Sequence, residues 1–560
     1  MQYIIHIFYI SSMYDLIVMK RINIYNPNIA EYTKSAIDAI ESGWISNHGK
    51  YIGLATEKLK EIMKCKHAIL MANGTCATHC LFIALKHAHP TITKIYVPNN
   101  AYVAAWNAAL MEYSECQLSV MRMDASTWNI CTDEDYIATL EPNSAMLIVH
   151  NVGNIVNVPR LKRLRPDIVF VEDNCEGFLG KYAGQYSGTS PASLCSSVSF
   201  YGNKIITTGE GGAFMTNDDA VYEHISRVYS QGMSAKRYVH EVHAYNYRMT
   251  NVQAAFLYDQ LCDLDAIIAQ KTRVFETYRT LLNEHDLIRS GRVRLYETES
   301  GTQSTHWIFA LRIVGNTKTV DETAAFFDAA GIDVRPFFYP IHAHAQFASC
   351  RSKISDADNA VSVLLNKEIL MVPSSPDIAF DEQRRVIDTV HKFVMHLNGV
   401  NVRTIHDMTM PMLNQIVNII KHDADNLSFR YFNNRTIETA LQTHAITNVY
   451  YIANDDANDA INDFIGYAHI DFDAPRNRHW FGIYICKSQR GKKYGALVLN
   501  DIIHQFCIQT RYQYDVYLSV DRTNMHALHL YEMNKFEIVE THDTVYVMRR
   551  KCNAVRDVVM

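Results

Sequence analysis

The sequence has no long apolar run, no organised set of cysteines and no strong net charge, and each absence excludes a class of protein. No stretch approaches the roughly 20 apolar residues that a membrane-spanning helix needs. The 12 cysteines form no CxxC pair and no repeated spacing, which gives little support to a disulfide framework or a zinc site. A formal net charge of -6 provides no electrostatic footprint for nucleic acid or an anionic membrane. We therefore expect a cytoplasmic enzyme that acts on small molecules without a metal ion.

The chain of 560 residues is too long for one hydrophobic core, and its first part follows a regular strand–helix alternation. Short buried-strand patterns occur at residues 68–71, 94–97, 146–149 and 168–171, with helical patterns between them. This alternation predicts an α/β fold, in which a mostly parallel sheet carries helices on both faces. After about residue 250 the pattern indicates one long helix over 251–282, followed by a smaller α+β region.

A domain boundary is expected at Asn398-Gly399. These residues end a helical pattern over 386–397, and a new strand pattern starts at Val400 with almost no linker. We therefore expect a first domain over 19–398 and a second over 399–560. Residues 1–18 include an apolar stretch without the basic segment of a signal peptide, and we expect them to form an extension outside the catalytic fold.

The most informative stretch of the first domain pairs a carboxylate with a lysine. Asp173 follows a predicted strand, and Lys204 lies some thirty residues further on. Pyridoxal phosphate requires a carboxylate that keeps its ring nitrogen protonated and a lysine that forms the imine. Ser199 and the glycine-rich turn at 209–212 can offer hydroxyl and N–H donors to a phosphate.

At these residues the sequence resembles the DegT/DnrJ/EryC1/StrS family of nucleotide-sugar aminotransferases. The resemblance runs from about Arg21 to Leu397 and implies the fold-type I aminotransferase architecture with a small α+β region. The other matching blocks are Ser42-Gly43-Trp44-Ile45-Ser46, Asn73-Gly74-Thr75, Val97-Pro98-Asn99-Asn100-Ala101-Tyr102-Val103-Ala104, Tyr245-Asn246-Tyr247-Arg248-Met249-Thr250-Asn251, Arg335-Pro336-Phe337-Phe338-Tyr339-Pro340-Ile341-His342 and Pro373-Ser374-Ser375-Pro376.

The resemblance implies a role for each matching residue around the cofactor. Lys204 would be the catalytic Schiff-base lysine. The other implied contacts are Gly74 and Thr75 at a phosphate-binding helix N-terminus, Tyr102 stacked on the ring, Asp173 at the ring nitrogen, Glu176 near the phenolic oxygen and Ser199 at the phosphate. Asn246 would reach the cofactor phosphate of the neighbouring subunit, which implies a homodimer with shared sites. His342 would either line the sugar pocket or pack as an ordinary loop residue.

The implied reaction moves an amino group from a donor, expected to be L-glutamate, to a nucleotide-linked keto sugar. The carboxylate at Glu176 is similar to that of 4-aminotransferases that make perosamine or viosamine, so a 4-keto-6-deoxyhexose is the expected acceptor. Two alternatives remain: a 3-aminotransferase followed by 3-N-acetylation, and a catalytically silent regulatory protein. The presence of both Asp173 and Lys204 argues against the silent alternative.

The second domain contains a strand pattern at 481–486, a basic glycine-bearing turn and a helix over 497–505. Such a turn can bind a diphosphate through backbone N–H groups at the helix N-terminus, although a plain basic loop has the same composition. The residues of the predicted turn are Gln489, Arg490, Gly491, Lys492, Lys493, Tyr494, Gly495 and Ala496.

Residues 400–550 resemble the GNAT family of acetyltransferases, which implies that this turn binds acetyl-CoA. Tyr531 would protonate the departing thiolate, or else be a core aromatic, and Asn524 would hold the pantetheine arm or its own helix. Lys493 stands where many relatives have glycine. No general base is evident, since His469, Asp471 and His479 are each more typical of surface or core positions. The two resemblances together predict that the amine made by the first domain is acetylated by the second.

Overall fold

The computed structural model describes residues 20–234, 236, 238–404, 408–423, 429, 431–452, 463–492, 494–510 and 513–551. The expected extension over 1–18 and the turn residue Lys493 lie outside the described residues. The chain divides into two compact units. The first unit comprises the residues up to Leu281 together with Ile288–Thr389, and the second comprises Leu282–Leu287 together with the residues from Val390 onward.

The strands before residue 398 form one large and two small sheets. In chain order they are β1 His67–Met71, β2 Ile95–Pro98, β3 Leu118–Met121, β4 Ala145–Val149, β5 Val169–Asp173, β6 Lys181–Tyr182, β7 Gln185–Tyr186, β8 Ser193–Ser199, β9 Gly212–Thr216, β10 Val293–Arg294, β11 Thr302–Gln303, β12 Ala310–Ile313, β13 Arg335–Pro336 and β14 Ile369–Met371. The large sheet has the order β1-β9-β8-β5-β4-β2-β3, and the small ones have the orders β10-β12-β14-β13 and β11-β6-β7.

The large sheet is parallel except at β9, which pairs antiparallel with both β1 and β8. The predicted mostly parallel sheet is therefore confirmed. Alternate side chains divide between two buried clusters: Met146 and Ile148 of β4 belong to one, and Leu147 and Val149 belong to the other. Both faces of the sheet are thus covered, which explains why these strands are continuous apolar runs.

The helices of the same region cover the sheet and build the smaller α+β part. They are α1 Lys34–Glu41, α2 Lys50–Met63, α3 Gly74–Ala88, α4 Val103–Leu110, α5 Glu134–Ala138, α6 Val158–Leu164, α7 Asp219–Val228, α8 Asn251–Cys262, α9 Leu264–Glu284, α10 Val320–Ala329, α11 Asp356–Glu368 and α12 Phe380–Leu397.

The prediction of a single helix over 251–282 is wrong, because the chain breaks between α8 and α9. Asp263 has φ -111° and ψ 24°, and its N–H donates to the Gln260 carbonyl three residues back rather than four. Its carboxylate accepts a hydrogen bond from the Tyr32 hydroxyl at 2.9 Å. A tertiary contact that the local pattern does not contain therefore coincides with the break.

The second unit has a seven-stranded sheet of order β15-β16-β17-β18-β19-β21-β20. Its elements are β15 Val400–Thr404, α13 Met410–His422, α14 Ile437–Leu441, β16 His444–Ile452, β17 Phe464–Asp473, β18 Arg478–Ile485, α15 Tyr494–Gln509, β19 Val516–Asp521, α16 Met525–Met533, β20 Glu537–Thr541 and β21 Val545–Arg550. Gly399 has φ +79°, so the predicted helix stop before β15 is confirmed.

Two further sequence expectations can be compared with the described residues. Among the cysteines in the described part of the chain, ten are free thiols and Cys507 is disulfide-bonded. Within the described ranges, no helix combines the length and the apolarity that crossing a membrane requires.

Candidate active sites

The first candidate site lies at the edge of the large sheet where its parallel strands end. Gly74 starts α3 directly after β1, and Ser199 is the last residue of β8. A Cβ atom on Gly74 would lie only 2.7 Å from the Ser199 Cβ, so the glycine allows the helix N-terminus to approach the serine. Asn73 caps the helix by accepting the Cys76 N–H at 2.9 Å, while Thr75 is exposed beside it. These residues form a small cradle that suits an anion.

Asp173 and Cys175 follow at the end of β5, next to this cradle. The Asp173 carboxylate is buried and accepts the Cys175 N–H at 3.1 Å. Burial raises the pKa of the Cys175 thiol, the negative charge of Asp173 raises it further, and the positive charge of Lys204 lowers it. Both predicted charges therefore act on the same buried thiol, as expected if Asp173 and Lys204 face one site.

Lys204 is held by two aromatic residues that the sequence analysis did not identify. Its ammonium Nζ lies 3.9 Å from the centroid of the Trp307 ring, and the indole N–H of Trp307 donates to the Asn203 carbonyl at 2.9 Å. The Tyr25 hydroxyl donates to the Lys204 carbonyl at 3.0 Å. Trp307 is one of only five tryptophans in the chain, and that scarcity is the only signal in the sequence that could have singled it out.

Glu176 is buried beside the same lysine. Its carboxylate accepts the Val152 N–H at 2.8 Å. Burial raises its pKa to about 7, against the opposing effects of the Lys204 charge and this hydrogen bond, while Asp173 raises it further. The carboxyl group can therefore hold or release a proton near neutral pH.

The remaining predicted residues of this domain are Tyr102, His342 and Asn246. Tyr102 precedes α4 at the end of β2 and is 61% exposed, with its ring edge-on to Phe338 at 6.2 Å. The segment before His342 runs beside the same strand end, because the Ile341 N–H donates to the Asn99 carbonyl at 2.8 Å. Asn246 is exposed and accepts from the Arg248 guanidinium at 2.9 Å. The single chain thus leaves Tyr102 and Asn246 available to another molecule.

The second candidate site is the turn between β18 and α15. Gly491 has φ +79°, the left-handed conformation that glycine adopts easily. Gln489 is buried and accepts from the Lys492 ammonium at 3.1 Å. The Arg490 guanidinium pairs with Asp423 at 2.5 Å and donates to the Ile485 carbonyl at 3.0 Å. The side chain of Arg490 is therefore already neutralised, and backbone N–H groups are the better candidates for binding a diphosphate.

The rest of this turn leads directly into α15. Tyr494 is the first residue of the helix, and Gly495 and Ala496 follow in its first turn. A Cβ on Gly495 would come within 3.4 Å of Leu530 in α16. The predicted layout of strand, turn and helix N-terminus is thus present in the second unit.

The two parallel strands beside this turn are joined only at their starts. The residues of β18 and β19 in register are His479 with Val516 and Trp480 with Tyr517. Beyond these two pairs, no further residues of β18 and β19 are in register.

Tyr531 and Asn524 both lie on or next to α16. Tyr531 packs in the core of the unit between Phe481 and Phe536, and burial raises the pKa of its hydroxyl to about 12. Asn524 caps the helix, since its side-chain oxygen accepts the Ala527 N–H at 3.1 Å. This cap corresponds to the helix-holding role that the resemblance offered for Asn524.

The three residues considered as general bases lie in packed surroundings. His469 is 2% exposed, and burial lowers its pKa well below the usual value. Asp471 accepts from the Tyr431 hydroxyl at 2.9 Å and pairs with Arg435. His479 is buried against Phe506 and Phe472. A neutral, buried His469 is a weak base, which agrees with the expectation that these residues are structural.

Comparison with known proteins decides the family of the larger part. Residues 27–391 match the DegT/DnrJ/EryC1/StrS aminotransferase family. The chain belongs to this family. Residues 415–536 match the acetyltransferase (GNAT) family, so the chain also carries a GNAT acetyltransferase domain. It is therefore an enzyme that combines a pyridoxal-phosphate-dependent aminotransferase with an acetyltransferase domain.

Curated relatives and solved structures agree with this assignment. The GDP-perosamine synthase of Escherichia coli O157:H7 is 28% identical over 382 residues, which cover 67% of this chain and 99% of that protein. The GDP-perosamine synthase of Caulobacter vibrioides is 31% identical over 329 residues, 57% of this chain and 86% of that protein. A solved structure named putative sugar aminotransferase Spr1654, from Streptococcus pneumoniae, aligns with this chain at a TM-score of 0.59 and 17% identity. The aligned part covers 68% of this chain and 100% of that one. The match to this solved structure shows only that the two proteins share the fold-type I aminotransferase fold.

Proposed function

We propose that the first domain transfers an amino group to a nucleotide-linked 4-keto-6-deoxyhexose, and that the GNAT domain acetylates the new amine with acetyl-CoA. The observation that carries the first half is the convergence of Asp173, Lys204 and the Gly74–Ser199 cradle at one edge of the sheet. These residues fit pyridoxal phosphate, because they offer a carboxylate, a lysine and an anion cradle that a single Cβ would fill.

Each group of this site has a specific task in the proposal. When bound, pyridoxal phosphate supplies an electron sink for charge that develops on the amino donor. Lys204 Nζ would hold the cofactor covalently and, once free, would take the proton from the donor's Cα carbon. Asp173 would hold a proton at the cofactor's ring nitrogen, and Gly74, Thr75 and Ser199 would bind its phosphate.

The substrates are proposed from the relatives and from Glu176. Two relatives are named GDP-perosamine synthases, which supports a GDP-linked sugar aminated at carbon 4. L-glutamate is the proposed amino donor. Tyr102 would stack on the cofactor ring, and His342 would line the sugar pocket. Asn246 would reach the site of a second subunit in a homodimer, which its exposure in the single chain permits.

The acetylation step is proposed for the second unit from its turn between β18 and α15 and from its match to the GNAT family. Residues 489–496 would bind the diphosphate of acetyl-CoA through backbone N–H groups, and Tyr531 would return a proton to the thiolate. We place the functional boundary at Asn398-Gly399, where α12 ends and β15 begins. The ten free thiols support a reducing compartment such as the cytoplasm, and the disulfide-bonded Cys507 argues against it.

Full-length variants can separate the two proposed activities. Lys204→Ala should abolish amination of the keto sugar and leave acetylation of the purified 4-amino sugar nucleotide intact. Gly491→Glu should have the opposite effect, because a carboxylate and a side chain in a left-handed turn oppose diphosphate binding. Mass spectrometry of the sugar nucleotides reads both steps. Loss of both activities in either folded variant, or acetylation only of peptides, would contradict the proposal.

A further inference from the structure

The turn from His150 to Asn154 contains a backbone conformation that is unusual for its residue. Val152 has φ +49° and ψ 21°, in the left-handed region, although it is a β-branched residue and completely buried. Such a conformation is costly for a β-branched residue and persists only where the surrounding structure imposes it. Residues of this kind cluster at functional sites, and here the neighbouring Glu176 belongs to the candidate aminotransferase site.

The surrounding contacts hold this turn from several directions. The Asn151 N–H donates to the Asn129 side-chain oxygen at 2.9 Å, and the Asn151 amide donates to the Asn100 carbonyl at 3.1 Å. Gly153 has φ +85°, and its carbonyl accepts the Thr305 N–H at 2.9 Å. All four of these side chains and Gly153 itself are buried, so the turn has little freedom to relax.

A buried histidine anchors the start of the turn to the sheet. His150 Nδ1 accepts the Val156 N–H at 3.1 Å, so in the neutral ring the proton is on Nε2. Nε2 then donates to the Glu172 carboxylate at 2.9 Å. Glu172 is the last residue before Asp173 in β5 and also accepts the Gly188 N–H. The turn is thereby connected to the strand that positions Asp173.

The strained conformation has one visible effect on the site. It directs the Val152 N–H at the Glu176 carboxylate, where the N–H···O distance between nitrogen and oxygen is 2.8 Å. The charged groups that act on Glu176 are Lys204 and Asp173, and they have opposite effects. The N–H is a fixed donor that favours the ionised carboxylate against its burial.

We infer that the turn from His150 to Asn154 is a positioning device that orients the Glu176 carboxyl beside Lys204 and sets how readily it gives up its proton. Glu176 is then a group that can hold a proton in the site as amino groups enter and leave. The inference rests on the proposed aminotransferase function for this last role, but the effect of the turn on the titration of Glu176 is independent of it.

The test is the titration of one carboxyl group in the full chain. Infrared difference spectra between the unchanged protein and Glu176→Gln, recorded with and without pyridoxal phosphate, identify the protonated carboxyl band of Glu176. The midpoint of that band should lie near pH 7, because burial raises the pKa of Glu176 to about 7. Absence of a band that disappears in Glu176→Gln, over the range from pH 5 to 9, would overturn the inference.

Two variants displace the N–H donor, and a third retains it. Gly153→Ala introduces a Cβ 2.7 Å from the Thr305 carbonyl oxygen at a left-handed φ, and Asn151→Ala removes the amide that anchors the turn. In both, the midpoint should rise by about one to two pH units, since a hydrogen bond to a charged group contributes about 1.5–3 kcal/mol. Val152→Gly keeps the N–H and tolerates the conformation, so its midpoint should stay in place.

The possible outcomes separate this inference from the proposed function. If Gly153→Ala does not fold, Asn151→Ala still provides the measurement. An unchanged midpoint in a folded turn variant, or an equal rise in Val152→Gly, would show that the turn does not set the titration. A wild-type protein that titrates as expected yet transfers no amino group would contradict the proposed function and leave the role of the turn standing.

Discussion

Gly74 provides the sharpest test of the phosphate cradle, because its missing side chain is what brings α3 close to β8. In Gly74→Ala the new Cβ would lie 2.7 Å from the Ser199 Cβ and 2.9 Å from its Oγ. Carbon atoms in contact prefer roughly 3.5–4.0 Å, so the helix end or the strand end must move by about 1 Å.

A displacement of this size would remove at least one of the hydrogen bonds that we propose to the cofactor phosphate. A hydrogen bond to a charged group contributes about 1.5–3 kcal/mol, so we expect binding of pyridoxal phosphate to weaken roughly 10- to 100-fold. Titrating cofactor-free protein with pyridoxal phosphate and recording its visible absorbance measures the change.

Gly202→Ala is the matched control, and it lies in the loop after β8, between Ser199 and Lys204. A Cβ on Gly202 has no atom within 4 Å, and its φ lies outside the left-handed region, so cofactor binding should stay as in the unchanged protein. Thermal melting of all three proteins shows whether each is folded. Normal cofactor affinity in a folded Gly74→Ala protein, or an equal loss in Gly202→Ala, would refute the cradle.

Three further predictions concern the dimer, the thiolate acid and acid stability. Mixing inactive Lys204→Ala and Asn246→Ala subunits should restore part of the aminotransferase activity, and no recovery despite proven subunit exchange would argue against shared sites. Tyr531→Phe should slow acetyl transfer about 100-fold or more at unchanged acetyl-CoA affinity, whereas a purely structural role predicts loss of stability at normal turnover. Burial lowers the pKa of His504 to about 2. Below about pH 6.5 the unfolded chain therefore binds a proton at His504 that the folded chain does not bind, and the free energy of unfolding decreases as pH falls. Urea unfolding between pH 7 and 5 should show that the free energy of unfolding falls less steeply with falling pH in His504→Gln than in the unchanged protein. An equal dependence on pH in both proteins would contradict this prediction.

The sequence allowed prediction of those parts of the site that depend on local pattern. Apolar strand patterns followed by polar residues predicted that Asp173 and Gly74 lie at one edge of the sheet, because all of its parallel strands end at that edge. The spacing from Ser199 to Lys204 and the helix stop at Gly399 likewise depend on neighbours in sequence.

The remaining features depend on contacts between residues far apart in the chain. Trp307 lies about a hundred residues after Lys204, and nothing in its own neighbourhood marks it as the ring beneath the lysine. The left-handed conformation of Val152 is imposed by Asn129 and Thr305, since valine itself disfavours it. Likewise, only the structure shows that Asp423 neutralises Arg490.

The most direct test of the account follows one sugar through both domains. The full-length protein is incubated with GDP-4-keto-6-deoxymannose and L-glutamate, and acetyl-CoA is added only after the first product has formed. Mass spectrometry should show the amino sugar nucleotide first and then its complete conversion to a product heavier by one acetyl group. An amino sugar that stays unacetylated while acetyl-CoA is bound, or the absence of any amino sugar, would contradict the central claim.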